Sequence, residues 1–188
     1  MNPGFPAWKA GVLDQARRPP PRFLTSWGFK LLFRFTTRDV GASMSCRRGF
    51  KFLEHTADVY VEVFGSSLEE VFELAAKAMF EVMVNTSKVK PVNHLVVEGS
   101  GVDLENALYR WLEDLLIEYC ANNIVFSKFK IEYVKIENGG IVFKGHAWGE
   151  EFKPDEHDPR TEVKAVTYSL MEVKNLGNCW TAKVVFDI

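Results

Sequence analysis

The chain has no apolar run approaching the 18 or so residues that a membrane-crossing helix requires, so no membrane-spanning helix is expected. It is poor in cysteine. Cys46, Cys120 and Cys179 are far apart, odd in number and in no C-x-x-C pair. That argues against a zinc knuckle and points to a reducing, cytoplasmic setting. Disulfides are not needed for stability, because a chain of this length buries roughly 68–70% of its unfolded surface. Also missing are G-x-G-x-x-G, G-x-x-x-x-G-K-[ST] and H-E-x-x-H, the signatures of dinucleotide, P-loop and zinc-protease sites. No nucleophile stands beside an evident base. Cys120, late in an apolar-periodic segment, reads as core, and no catalytic residue is expected.

A basic excess is also missing where the fold lies. Residues 1–43 hold seven Lys/Arg against two Asp/Glu, and residues 44–188 hold 16 against 23. The leader is therefore basic and the body acidic. Phosphate contacts need clustered Lys/Arg, so direct nucleic-acid binding is not expected. An acidic body suits a metal ion or a basic protein partner. Apolar residues at 47% and charged residues at 26% are those of an ordinary globular chain.

Residues 1–43 lack fold patterning. Arg17-Arg18-Pro19-Pro20-Pro21-Arg22 suits neither a helix nor a central strand. The segment is open to reading as a targeting leader, an amphipathic surface segment, a disordered tail, or a non-native extension upstream of a start at Met44. The last is favoured, because a patterned domain, 44–188, begins just beyond. Val59–Phe64 alternates as a strand. Ser67-Leu68-Glu69-Glu70 is a capping box opening a helix to about Asn85. Pro91–Glu98 is a second strand, ended by Gly99 and Gly101. Asp103 caps a helix from Leu104 to about Ala121. Phe129–Ile136 and Ile141–Trp148 form a hairpin across Asn138-Gly139-Gly140. A polar loop spans 150–160. One long strand or two short ones follow over 162–173, and a terminal strand runs from Thr181 to Ile188. The expected fold is α+β, with two amphipathic helices packed on a mixed, mainly antiparallel sheet.

Three constellations stand out. Glu54-His55-Thr56-Ala57-Asp58 crowds a carboxylate and an imidazole at a strand entry; a hydrogen-bonded turn explains the same residues. Val184-Val185-Phe186-Asp187-Ile188 stays apolar almost to the end. It would hold the Asp187 carboxylate beside the terminal one, an arrangement that calls for a cation; a strand that merely ends is the plainer account. Glu150 to Lys164 gathers charges, including His157, in what is either a solvated connection or a partner-facing loop.

The run Phe52-Leu53-Glu54-His55-Thr56-Ala57-Asp58-Val59 resembles the opening motif of the archease family. Gly65–Phe80 resembles its first helix. Gly149-Glu150-Glu151-Phe152, then His157, then Glu162-Val163-Lys164-Ala165-Val166-Thr167-Tyr168-Ser169 resembles its second signature, and Val185-Phe186-Asp187-Ile188 its ending. The resemblance covers about 51–188. It implies a non-catalytic activator of RtcB-class RNA ligases, promoting guanylylation and repeated turnover in tRNA splicing and RNA repair, with only an indirect link to tRNA. It also implies a divalent-metal site at Asp58, Asp187 and Ile188, for Ca2+ first and Mg2+ second. His55, Glu150, His157 and Lys164 become partner-facing or supporting candidates. Two other classes stay open: a metal-dependent hydrolase using Asp58 and Asp187, and a general chaperone-like binding module.

Overall fold

Alternation of buried and half-buried residues shapes the first well-packed strand, where Val61 and Val63 are fully buried and Tyr60, Glu62 and Phe64 are not. The structure, a computed structural model, describes residues 46–53 and 57–188. The expectations for residues 1–43 and for His55 fall outside them. The elements run β1 (Gly49–Leu53), β2 (Val59–Gly65), α1 (Leu68–Met83), β3 (Asn93–Gly101), α2 (Leu104–Asn122), β4 (Ile124–Glu137), β5 (Gly140–Glu151), a one-turn helix α3 (Pro154–His157), β6 (Ala165–Asn175) and β7 (Trp180–Asp187).

The helices start where the sequence signals them. The Ser67 hydroxyl accepts the Glu70 N–H, and the Asp103 carboxylate accepts the Asn106 N–H. Glu70 reaches back to the N–H and hydroxyl of Ser66, one residue earlier than a simple capping box predicts. The α1 stripe of Val71, Phe72, Ala75, Met79 and Phe80 is buried. On α2, Trp111 is fully buried, and its indole N–H donates to the Phe72 carbonyl at 3.0 Å, so its one polar group is satisfied.

The strands form two sheets and not one. β1-β2-β7-β6 make a four-stranded sheet and β3-β5-β4 a three-stranded one, every pairing antiparallel. The division follows from local connections. Two hairpins, β4–β5 and β6–β7, each recruit a strand from earlier in the chain, β3 and β2 respectively. The helices pack against each other and each touches strands of both sheets, so one core serves both layers.

Strand bounds differ from expectation for identifiable reasons. β3 continues through Gly99 and Gly101, because these glycines permit close approach and do not break the strand. A Cβ on Gly99 would lie 2.6 Å from the Phe143 ring, and one on Gly101 would lie 2.4 Å from the Ala107 nitrogen. β4 begins five residues early, at Ile124, where Val125 and Phe126 are buried. The polar loop holds the single turn of α3, with Pro154 at its start.

Two cysteine expectations are corrected. Cys46 and Cys179 are joined by a disulfide, across a sequence separation of 133 and a Cα–Cα distance of 5.1 Å. The register explains the meeting: Gly65 of β2 lies opposite Trp180, so the approach to β1 runs past the turn before β7. No spacing rule in the sequence exposes such a pair. Cys120 is exposed, not core, because it lies off the buried stripe of α2. Among the described residues no helix is long and apolar enough to cross a membrane.

Candidate functional site

The four-stranded sheet brings distant residues to one end. Val59 pairs with Phe186 in the antiparallel β2–β7 ladder. One step further along lie Asp58, entering β2, and Asp187, leaving β7. On the other side of β7, Asp187 pairs with Ala165, and the Lys164 N–H donates to the Asp187 carbonyl at 2.8 Å. Asp58, Asp187, Ile188 and Lys164 therefore share one sheet end. Asp187 and Lys164 are exposed, Asp58 is half-buried, and Ile188 packs against the core. The buried run Val184, Val185 and Phe186 anchors this end of β7, because the strand is paired on both sides.

Glu150 and His157 sit elsewhere, in a clasp of their own. His157 is completely buried. Its Nδ1 accepts the Lys153 N–H at 3.1 Å, and its Nε2 faces Glu150 Oε1 at 3.1 Å. Glu150 also accepts the Lys90 N–H at 2.7 Å, and that bond, followed by the one from His157, holds its carboxyl below the usual carboxylate range. The loop is stapled to the end of α1: Arg160 and Thr161 donate backbone N–H groups to the carbonyls of Met83 and Val82. These are carbonyls that a helix end leaves without intrahelical partners. The Arg160 guanidinium binds Glu81 through both its carbonyl and its carboxylate, each at 2.6 Å. His157 thus presents no surface to a partner. Its position three residues before Arg160 and seven before Lys164 makes it a fastener for the segment that delivers Lys164.

Beside Lys164 runs an open groove of about 380 Å³ between α2 and the start of β6, lined by Tyr109, Glu113, Ile117, Cys120 and Val166 among others. Beyond it β6 bulges: register is lost between Thr167 and Glu172, and Leu170 adopts a left-handed φ of 54°. Tyr168 stacks on Tyr109 with ring centroids 4.2 Å apart. Nothing in the sequence singles out this bulge: Leu170, unlike the left-handed Asn123, Asn138 and Asp158, is a residue type that gives no such signal.

Comparison with known proteins decides the family. A model of the archease protein family matches residues 50–188. The chain belongs to the archease family. Its match to "Protein archease" of Sulfurisphaera tokodaii is 48% identical over 139 residues, covering 74% of this chain and 98% of that one. The archease of Methanosarcina acetivorans is 42% identical over 139 residues, covering 74% and 95%. A solution structure of Methanobacterium thermoautotrophicum protein 1598 superposes with a TM-score of 0.67 at 42% identity, covering 74% of this chain and 99% of that chain. The family match thus spans all the described elements from the second residue of β1 onward.

The donor chemistry at the sheet end fits a hard divalent cation. Asp58 and Asp187 offer carboxylates just beyond the Val59–Phe186 pair, and Ile188 adds main-chain oxygen; an oxygen-only set suits Ca2+ or Mg2+. Among the described residues no three His, Cys, Asp or Glu side chains gather about one point, so water would complete the shell.

Proposed function

We propose that this archease-family protein activates an RNA ligase of the RtcB class, promoting its guanylylation and repeated turnover in tRNA splicing and RNA repair, in the cytoplasm and without catalysis of its own. The observation that carries this reading is the convergence of Asp58, Asp187, Ile188 and Lys164 at one exposed sheet end. Asp58, Asp187 and Ile188 would hold Ca2+ or Mg2+, the cation supplying charge that compensates the carboxylates. Lys164, on the adjoining strand start, presents an ammonium to the ligase. The functional body is residues 44–188, and the basic segment 1–43 is an extension outside it. The groove beside Lys164 supplies apolar surface for the same contact.

The experiment is ligase turnover with GTP, with and without this protein, comparing the full chain with Asp58→Ala. Stimulation by the full chain and its loss in Asp58→Ala supports the reading. Stimulation that survives Asp58→Ala removes the metal site from the mechanism. Ester or phosphoester turnover by the protein alone would instead establish a hydrolase, and protection of unrelated aggregating proteins by both forms a chaperone-like module.

A further inference from the structure

The outer face of the three-stranded sheet carries a group of side chains that the sheet-end site does not use. On β5, Ile141, Phe143, Gly145 and Ala147 point into the core, so Lys144, His146 and Trp148 point away from it. On β3, His94 lies opposite Trp148, two residues along from the Val96–His146 pair and on the same face. His94 Nε2 meets His146 Nδ1 at 3.0 Å. The two rings lie within 15° of parallel. Both stack on Trp148, at centroid distances of 4.9 and 5.8 Å. The remaining nitrogen of His146, Nε2, is 3.3 Å from Glu132 Oε2 on β4. Lys144 bridges Glu132 and Glu98, at 3.3 Å from each.

These contacts fix the roles of the ring nitrogens. Glu132 accepts, so His146 Nε2 carries the hydrogen, and its Nδ1 turns a lone pair toward His94. A carboxylate holding one imidazole nitrogen while the other is free to ligate is the arrangement that supports metal-bound histidines. In this hydrogen bond His94 Nε2 carries the hydrogen; to ligate, His94 holds its hydrogen on Nδ1 instead, and the two rings turn so that both lone pairs meet at one point. Metal–imidazole bonds are about 2.0–2.1 Å long, so nitrogens about 3.0 Å apart subtend roughly 90° at an ion. That is the angle between neighbouring ligands of a square-planar or octahedral ion, and tighter than a tetrahedral one.

We propose that His94 and His146 form a binding site for a late first-row transition-metal ion, Cu2+ or Ni2+ in preference to Zn2+, with Glu132 as a positioning residue. Water fills the other positions, since no third ligating side chain joins them among the described residues. The site is chemically separate from the sheet end: imidazole selects Cu2+ and Ni2+, and carboxylate selects Ca2+ and Mg2+. Binding ties the edge strand β3 to the central strand β5.

The test titrates the full chain with CuCl2, NiCl2 and ZnCl2 in turn, reading tryptophan emission and melting temperature. The expected result is saturable quenching by Cu2+ that largely disappears in Trp148→Phe, with an accompanying rise in melting temperature. Affinity falls about tenfold or more in His94→Asn and in His146→Asn. In Glu132→Ala it falls about tenfold, with recovery in Glu132→Asp. It also weakens as pH falls, because protons compete for the imidazoles. Excess Ca2+ does not displace the bound ion, and Asp58→Ala binds Cu2+ normally, which separates this site from the sheet end. The positions are on the surface, so melting in chelator should be unchanged and will show that each variant folds. Equal Cu2+ affinity in the full chain and the His94→Asn/His146→Asn double variant overturns the proposal and leaves the pair as a hydrogen bond alone. Quenching that persists undiminished in Trp148→Phe overturns it as well.

Discussion

Glu150 is the carboxylate whose environment the fold controls most clearly. The Lys90 N–H and His157 both favour its charged form. Its folded-state pKa therefore lies below the unfolded value of about 4.3. The stability it contributes is complete above that unfolded value and is lost as pH falls through the lower folded one. Acid unfolding of the full chain should show this loss, and Glu150→Gln should flatten it; parallel acid titrations of the two would refute the assignment. Lys164 makes the opposite kind of residue. Its side chain is exposed while its backbone N–H is fixed to Asp187. Lys164→Ala should thus change stability by less than about 0.5 kcal/mol, as surface substitutions do, yet lower ligase stimulation severalfold. Near-normal stimulation would return Lys164 to an ordinary solvated face. At this scale the sequence was partly legible. Asp58 and Asp187 stand out at strand ends in the sequence, and they flank the last pair of the β2–β7 ladder, Val59 with Phe186. His157 reads from the sequence as a member of a charged loop and, through the resemblance, as a partner-facing or supporting residue, because no local pattern reveals that a histidine there is fully enclosed. The His94–His146 pair went unread, since 52 residues separate partners that only strand register unites.

The two long helices, α1 and α2, are legible from their caps and apolar stripes, since both signals are local. Strands were harder to bound. Glycines that end a strand and glycines that let a helix come close look alike in sequence, and β3 shows the second kind. Gly101→Ala should drive a methyl into the backbone of Ala107, where the gap is 2.4 Å. A cost of about 1–3 kcal/mol is expected, measurable by urea unfolding; a neutral result would mean that α2 shifts freely against β3. The final strand invites a complementary test. β7 is paired on both sides, and Ile188 packs on the core. Adding a Gly-Ser tail after Ile188 turns its carboxylate into an amide while leaving the ladder intact. Melting in chelator should stay the same, and the rise in melting temperature given by Ca2+ or Mg2+ should shrink. An equal rise in tailed and untailed protein would remove Ile188 from the ligand set.

For the molecule as a whole, the cysteines matter more than their number suggests. The Cys46–Cys179 bond spans 133 residues. On the loop-entropy view, closing a ring of this size lowers the freedom of the unfolded chain by about 5 kcal/mol. Reduction should therefore lower the urea midpoint and steepen the transition, because the freed unfolded chain exposes more surface. Identical midpoints with and without reductant would show that the bond does not form in solution. The α+β class was legible, but its division into two sheets was not. Periodicity tells which residues face a core and is silent on which strand a hairpin recruits.

One consequence concerns the order of synthesis. β7 lies between β2 and β6, yet it leaves the ribosome after every other strand described. While the chain is still growing, β2 and β6 have no partner between them and expose raw strand edges, which invite pairing with other chains. The three-stranded sheet has all its strands well before this moment and can form first. Asp58 waits at the mouth of β2 for an Asp187 not yet made, so a prematurely terminated chain could keep much of its shape while wholly lacking the end of the sheet where its proposed work is done.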